Sequence, residues 1–187
     1  MKDIENAQKR TDAKVRYAAL HLEELRQYPR RGSGDDFERS HQEAFLYQLI
    51  GVRDAFLQEL NLYYRCGLTS QQVRLDRIEK CMRAQNQVCP ELQALSALET
   101  EPGSWLNVAK EMRDHSTHRR SVPRIFHVGG GDDSRITLQD PRTKARVPGD
   151  QMDVFTMWQR EMAALISRLR ATAISEWKSN SKMQWTR

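Results

Sequence analysis

Phe45, Leu49, Val52, Phe56, Leu60 and Tyr63 recur at 4-3-4-4-3 spacing. A helix returns to the same face every 3.6 residues and a strand every two, so this stripe commits residues 36–64 to one long amphipathic helix. Two other stretches carry the same period. Val15, Ala18, Leu22 and Leu25 predict a helix over residues 2–28, and Phe155, Trp158, Met162, Leu165, Leu169, Ala173 and Trp177 predict another from about 150 to 178. Three long helices with apolar stripes define an all-α bundle as the expected fold class.

The breaks between helices follow backbone chemistry. Pro29, Gly32 and Gly34 end the first helix and make a flexible turn, so the first two helices form an antiparallel hairpin. Asp35 or Asp36 can cap the second helix, and Gly67 is expected as its C′ residue. Thr69 is expected to cap a third helix over 70–86, with Leu75, Ile78 and Met82 inward. Pro90 opens a short fourth helix that stops near Glu99. Ser104 can cap a fifth, carrying Trp105, Leu106, Val108, Ala109 and Met112. That totals about five to six helices.

From 124 to 139 the pattern changes. Arg124–Val128 and Arg135–Gln139 are short and rich in β-branched residues, with Gly129-Gly130-Gly131 between them, which predicts a β-hairpin. A phosphate-cradling reading of that glycine run lacks the following helix and lysine, so a hairpin turn is expected. A basic loop with Arg142, Lys144 and Arg146 follows. Residues 179–187 are expected as a flexible tail, and the whole chain as one domain.

Charged residues make up 29% of the chain and mean hydropathy is -0.77, which fits long solvated helical faces and gives no expectation of a membrane. No apolar run approaches the roughly 18–20 residues needed to span a bilayer. The first residues have no apolar signal core, and Cys66, Cys81 and Cys89 lack metal-site spacing. The expectation is a cytoplasmic chain with three reduced thiols, no metal and no cofactor.

The net charge of +5 says less than its distribution. Between Arg113 and Arg124 stand four arginines and two histidines against one acid, Asp114. Such a stretch suits phosphate binding. Cleaving RNA without a metal needs a base for the 2′-hydroxyl and a cation for the charge developing on phosphoryl oxygens. His118 suits the first role because histidine titrates near neutrality. Arg113 suits the second because its planar fork binds two phosphate oxygens. Five residues on a regular helix turn about 140°, so the two converge only if the helix ends or opens between them. Ser116, Thr117 and Pro123 make an opening there the expectation. Asp114 and His118 share a face, so Asp114 can orient the imidazole.

Arg113-Asp114-x-x-x-His118, late in a bundle of long helices, resembles the R-x(4–6)-H motif of HEPN domains, in which a polar residue usually follows the arginine. The resemblance implies a metal-independent endoribonuclease leaving 2′,3′-cyclic phosphate and 5′-hydroxyl ends, with Arg113 and His118 catalytic and Asp114 assisting. His115, Thr117, Arg119, Arg120 and Arg124 would be RNA or phosphate contacts. It also implies a homodimer with facing motifs, in a toxin–antitoxin or phage-defence setting with an antitoxin or regulatory protein as a further partner. The tyrosine that follows the histidine in some toxin subgroups is replaced by Arg119 and Arg120, which argues against that subgroup. The hairpin near 124–139 looks like a lineage-specific insertion.

Other readings stay open on sequence alone. The stretch can be a solvated helix end, where arginine and histidine suit the helix dipole. The domain can bind RNA, nucleotide or a partner protein without catalysis, or serve as a structural adaptor. His115, His118 and His127 lack a further acid or cysteine to complete a metal site. Of Tyr63 and Tyr64, one is expected in the core and the other over the bundle end. Trp158 and Trp177 are expected in the core or a dimer interface.

Overall fold

The stripe from Phe45 to Tyr63 is buried along its whole length. In the computed structural model it lies at the centre of a helical bundle. The structure describes residues 2–27, 36–118, 121–127 and 135–184, with backbone alone at 118, 127, 135 and 173–184. Among the described residues there are six helices and one two-stranded antiparallel hairpin: α1 (Lys2–Gln27), α2 (Asp36–Tyr63), α3 (Leu75–Ala84), α4 (Pro90–Thr100), α5 (Trp105–His118), β1 (Arg124–His127), β2 (Arg135–Leu138) and α6 (Gln151–Gln184). None of the described helices is long and apolar enough to cross a membrane.

Helix α2 is the hub because it buries the most. Phe45, Val52, Phe56 and Leu60 are fully enclosed, and α1, α5 and α6 all pack on it. Each such side chain contributes about 1.5–3 kcal/mol relative to an exposed one. Helix α6 adds Phe155, Trp158, Met162 and Leu165, with the Phe155 ring tilted against Phe45 at 4.8 Å between centroids. Trp158 is core; the Trp177 side chain lies outside the described residues. Side-chain pairs Gln8–Tyr63, Lys14–Gln48 and His21–His41 show α1 and α2 running antiparallel.

One polar cluster ties three helices together inside this core. Glu59 of α2 is completely buried. Arg170 of α6 grips both its oxygens, at 2.9 and 2.8 Å, and also donates to Asp12 and to the Gln8 carbonyl of α1. Burial alone would weaken the Arg170 charge, but the two carboxylates raise its pKa overall.

The boundaries depart from sequence expectation at three places. Arg65, at φ 51°, is the C′ residue of α2 in place of Gly67, which is itself left-handed at φ 67° two residues on. The Cys66 N–H reaches the Asn61 carbonyl and the Arg65 N–H reaches that of Leu62, which closes a Schellman motif with Arg65 at C′. Asn61 then brackets Leu68 with both side-chain atoms. The third helix starts at Leu75, not 70, because the Thr69 carbonyl accepts from Gln72 and Val73 to form a separate turn, and Arg74 is extended without a side-chain cap. Helix α6 continues to Gln184, past the expected end at 178, since Ser179–Gln184 contains neither proline nor glycine to stop it.

The cysteines need a fuller correction. Cys66 and Cys81 form a disulfide, with Cα atoms 5.8 Å apart, where three reduced thiols were expected. The turns after α2 fold the chain back so that α3 lies beside the α2 terminus, a pairing that spacing in sequence does not signal. Cysteine usage therefore does not argue for a reducing compartment.

The hairpin pairs Arg124 with Leu138 through His127 with Arg135, as expected. The expected turns at 28–34 and 129–131 lie outside the described residues. The basic loop folds on Asp140, whose carboxylate accepts the N–H groups of Arg142 and Thr143. Arg142, Lys144 and Arg146 remain exposed.

Replacing Arg170 with Met strands the buried Glu59 carboxylate. Urea denaturation is expected to show a loss of about 3–5 kcal/mol, much of it recovered in Glu59→Met/Arg170→Met. A single-variant loss below about 1 kcal/mol contradicts the pairing as a structural tie.

Candidate functional site

Ser104 begins α5 as the sequence suggests, its hydroxyl accepting the Asn107 N–H. Leu106, Ala109 and Met112 bury one face against the core. The helix then runs unbroken through His118. The expected opening is absent, and the two residues expected to cause it do the reverse. Ser116 and Thr117 both donate their hydroxyls back to the Arg113 carbonyl, bonds that a helical turn accommodates. Helical positions 113 and 118 are therefore about 140° apart within one chain. The His118 side chain, Arg119 and Arg120 lie outside the described residues.

Arg113 faces away from the core toward a cleft between α1, α2 and α5. The cleft has a volume of about 260 Å³ and is lined by Arg10 and Lys14 of α1, Tyr47, Gly51 and Asp54 of α2, and Arg113. Three cations thus meet one carboxylate. That carboxylate is already engaged, since Asp54 accepts from Arg53 at 2.7 Å. Arg53 also holds Glu99 of α4, so it joins the α2 surface to the α4–α5 unit. Its pKa is raised: burial opposes the charge, but Glu99 and Asp54 outweigh it. Lys14 donates to the Gln48 amide at 2.9 Å, and its ammonium sits 5.3 Å from the Tyr47 ring centroid. Among the described residues, neither Arg10 nor Lys14 pairs with a carboxylate.

Arg113 Nε lies 2.8 Å from Asp114 Oδ1. The N–H is not aimed at that oxygen, so the contact is coulombic and the buried Nε keeps no hydrogen-bond acceptor. Asp114 thus contacts Arg113. Thr117 is one turn from Arg113 on the same side, exposed, its hydroxyl spent on the Arg113 carbonyl. Position 115 lies about 160° round the helix from 113, and His115 Nδ1 is buried without a partner. Arg124 is elsewhere: its side chain is 8% exposed and its guanidinium pairs with Glu38 of α2 at 2.7 Å. There it anchors the hairpin to α2. The structure brings together Arg113, Asp114 and Thr117, and places His115 and Arg124 away from the cleft.

Sequence reasoning missed Arg10, Lys14, Tyr47 and Gly51. The signal was available, because Arg10 and Lys14 are four apart on one helical face, and Tyr47, Gly51, Asp54 and Gln58 recur at 4-3-4 spacing opposite the apolar stripe of α2. No protein-family model matches the chain, and no curated protein or solved structure matches it.

Two other titratable groups bear on chemistry. Burial, then the hydrogen bond to Glu91, push the Cys89 thiol up to about 12, so it is no nucleophile at neutral pH. His21 and His41 meet across α1 and α2 with Nδ1 atoms 3.2 Å apart. This contact needs one donor and one lone pair, so it fails when both rings are protonated. Burial, then the charge of His41, lower the His21 pKa from 6.5, while Glu24 partly opposes them. The unfolded chain therefore binds this proton more readily than the folded one. The resulting stability is full above the unfolded value near 6.5 and falls as pH drops below it. The urea midpoint is expected to be lower at pH 5 than at pH 7, with the difference reduced in His21→Asn. An unaltered pH dependence in His21→Asn contradicts this assignment.

Proposed function

We propose that the chain is a HEPN-like helical module that binds RNA, with Arg113 as the phosphate-holding cation. The observation that supports this most is the cleft, where Arg113 joins Arg10 and Lys14 around a cavity whose one lining carboxylate, Asp54, also accepts a hydrogen bond from Arg53. Like charges gathered side by side repel one another, and an anionic ligand relieves that repulsion. A planar guanidinium is suited to two-point binding of a phosphate.

The second reading is metal-independent RNA cleavage. The Arg113-Asp114 contact and the histidine five residues on favour it. The unbroken helix separates the two motif positions, so a single chain does not converge them. Cleavage then requires a homodimer in which His118 of a second copy acts as base toward a phosphate held by Arg113. By resemblance, such an enzyme would work in a toxin–antitoxin or phage-defence setting beside a regulatory protein.

Filter binding of labelled single-stranded RNA in EDTA, followed by end analysis, separates these readings. Wild type is expected to bind, Arg113→Ala to lose about tenfold or more, and His118→Ala to retain binding. Cyclic-phosphate ends from wild type, absent with His118→Ala, establish the cleavage reading as well. Absence of binding by wild type overturns both and leaves a structural adaptor.

A further inference from the structure

Helix α3 is the shortest of the described helices, at ten residues. Isolated helices below roughly 12–15 residues are marginal in water, and Arg74 gives this one no side-chain cap. Ile78 and Met82 are its only buried residues, and exposed chain flanks it at 69–72 and 85–88. The arginine clusters that join the other helices lie elsewhere, Arg170 on α1, α2 and α6 and Arg53 on α2 and α4. What ties α3 covalently to the end of α2 is the Cys66–Cys81 disulfide. Its Cys66 half is placed without the bond, since the Cys66 N–H reaches the Asn61 carbonyl and the Asn61 side chain brackets Leu68. Opening the bond therefore frees α3 and leaves the α2 terminus in place.

We infer that Cys66–Cys81 is a thiol–disulfide exchange site that latches α3, so that a dithiol reductant opens it and releases α3 as a local unit while the bundle stays folded. Both cysteines are partly exposed, which gives an outside thiol access. Gln85 donates to Cys81 Sγ at 3.3 Å, a contact that favours Cys81 as the leaving thiolate. The reductant's thiolate attacks the Cys66 sulfur, the S–S bond breaks, and Cys81 leaves and takes up a proton. The reductant's second thiol then attacks its own sulfur in the mixed disulfide. Cys66 departs and is protonated, and the reductant closes into a disulfide, so two electrons and two protons have passed to the protein. Cys89 is buried against Glu91 with its thiol pushed up to about 12, so it stays protonated and takes no part in the exchange. A cross-link between residues 15 apart restrains opening on the order of a hundredfold, and its loss raises the open population of α3 by that factor. The inference is independent of the RNA reading, since neither cysteine lines the Arg113 cleft.

Amide hydrogen exchange read by mass spectrometry tests this on the full chain without denaturant. The protein is measured oxidised, after dithiothreitol, and after reoxidation with oxidised glutathione, with thiol alkylation and peptide mapping reporting the state of each cysteine. Cys66→Ser/Cys81→Ser serves as a permanently open form. Dithiothreitol is expected to expose Cys66 and Cys81 to alkylation while Cys89 stays unreacted. Amides of residues 75–85 then exchange on the order of a hundredfold faster, those of α2 and α6 keep their rates, and reoxidation restores protection. The double variant reproduces the reduced pattern. Unchanged exchange at 75–85 after reduction overturns the latch. Faster exchange throughout the bundle overturns it too, because the bond is then a staple of the whole fold. A bond that dithiothreitol opens only in denaturant, or that does not re-form, overturns the exchange site.

Discussion

Glu59 is a carboxylate sealed among apolar side chains, and Arg170 is what makes its burial tolerable. An ionised carboxylate without a partner in that position would cost several kcal/mol. Arg170 comes from α6, and its remaining donors go to Asp12 and Gln8 of α1. One guanidinium thereby fixes the rotation of α1 relative to α2 and α6. That rotation has a consequence for the surface. With Gln8 and Asp12 turned to Arg170, Arg10 and Lys14 are left to line the cleft against Gly51 and Tyr47. The core ion pair and the cationic cleft are two faces of one helical register.

A second arginine sets the other wall. Arg53 holds Glu99 at the end of α4 and Asp54 beside it on α2. Glu99 also draws Lys110 of α5 to 3.9 Å, and its carbonyl accepts from Asn107. These contacts seat α5 against α2, which delivers Arg113 to the cleft. The same arginine shares its charge between Glu99 and Asp54, the carboxylate that lines the cleft beside Arg10, Lys14 and Arg113. The position of Arg113 is thus set by side chains one layer behind the cleft.

The helical plan was legible in sequence because it depends on periodicity. The stripes of α1, α2 and α6 put Leu22, Phe56 and Trp158 in the core as the 3.6-residue repeat requires. The proline and serine signals at Pro90 and Ser104 also served well. Features set by tertiary contact were not legible. Nothing local marks Arg65 as the C′ residue in place of Gly67, or pairs Cys66 with Cys81. The motif stretch was legible in part. Its composition drew attention to Arg113, which lines the cleft, but the expected opening of the helix failed because Ser116 and Thr117 found an acceptor within the turn. Arg124 read as a free phosphate contact, while Glu38, 86 residues earlier, claims its guanidinium. Arg10, Lys14 and Tyr47 were overlooked because each sits on the polar side of a helix, where residues carry no periodic apolar signal.

The claim that Arg113 acts through the α1–α2 cleft has a direct test. Isotope-labelled protein is titrated with a short single-stranded RNA while backbone amide resonances are followed. Shifts are expected to cluster at residues 10–14, 47–54 and 110–114, the three segments that line the cleft. Shifts confined to the exposed basic loop at 142–146, with the cleft segments unmoved, would contradict it.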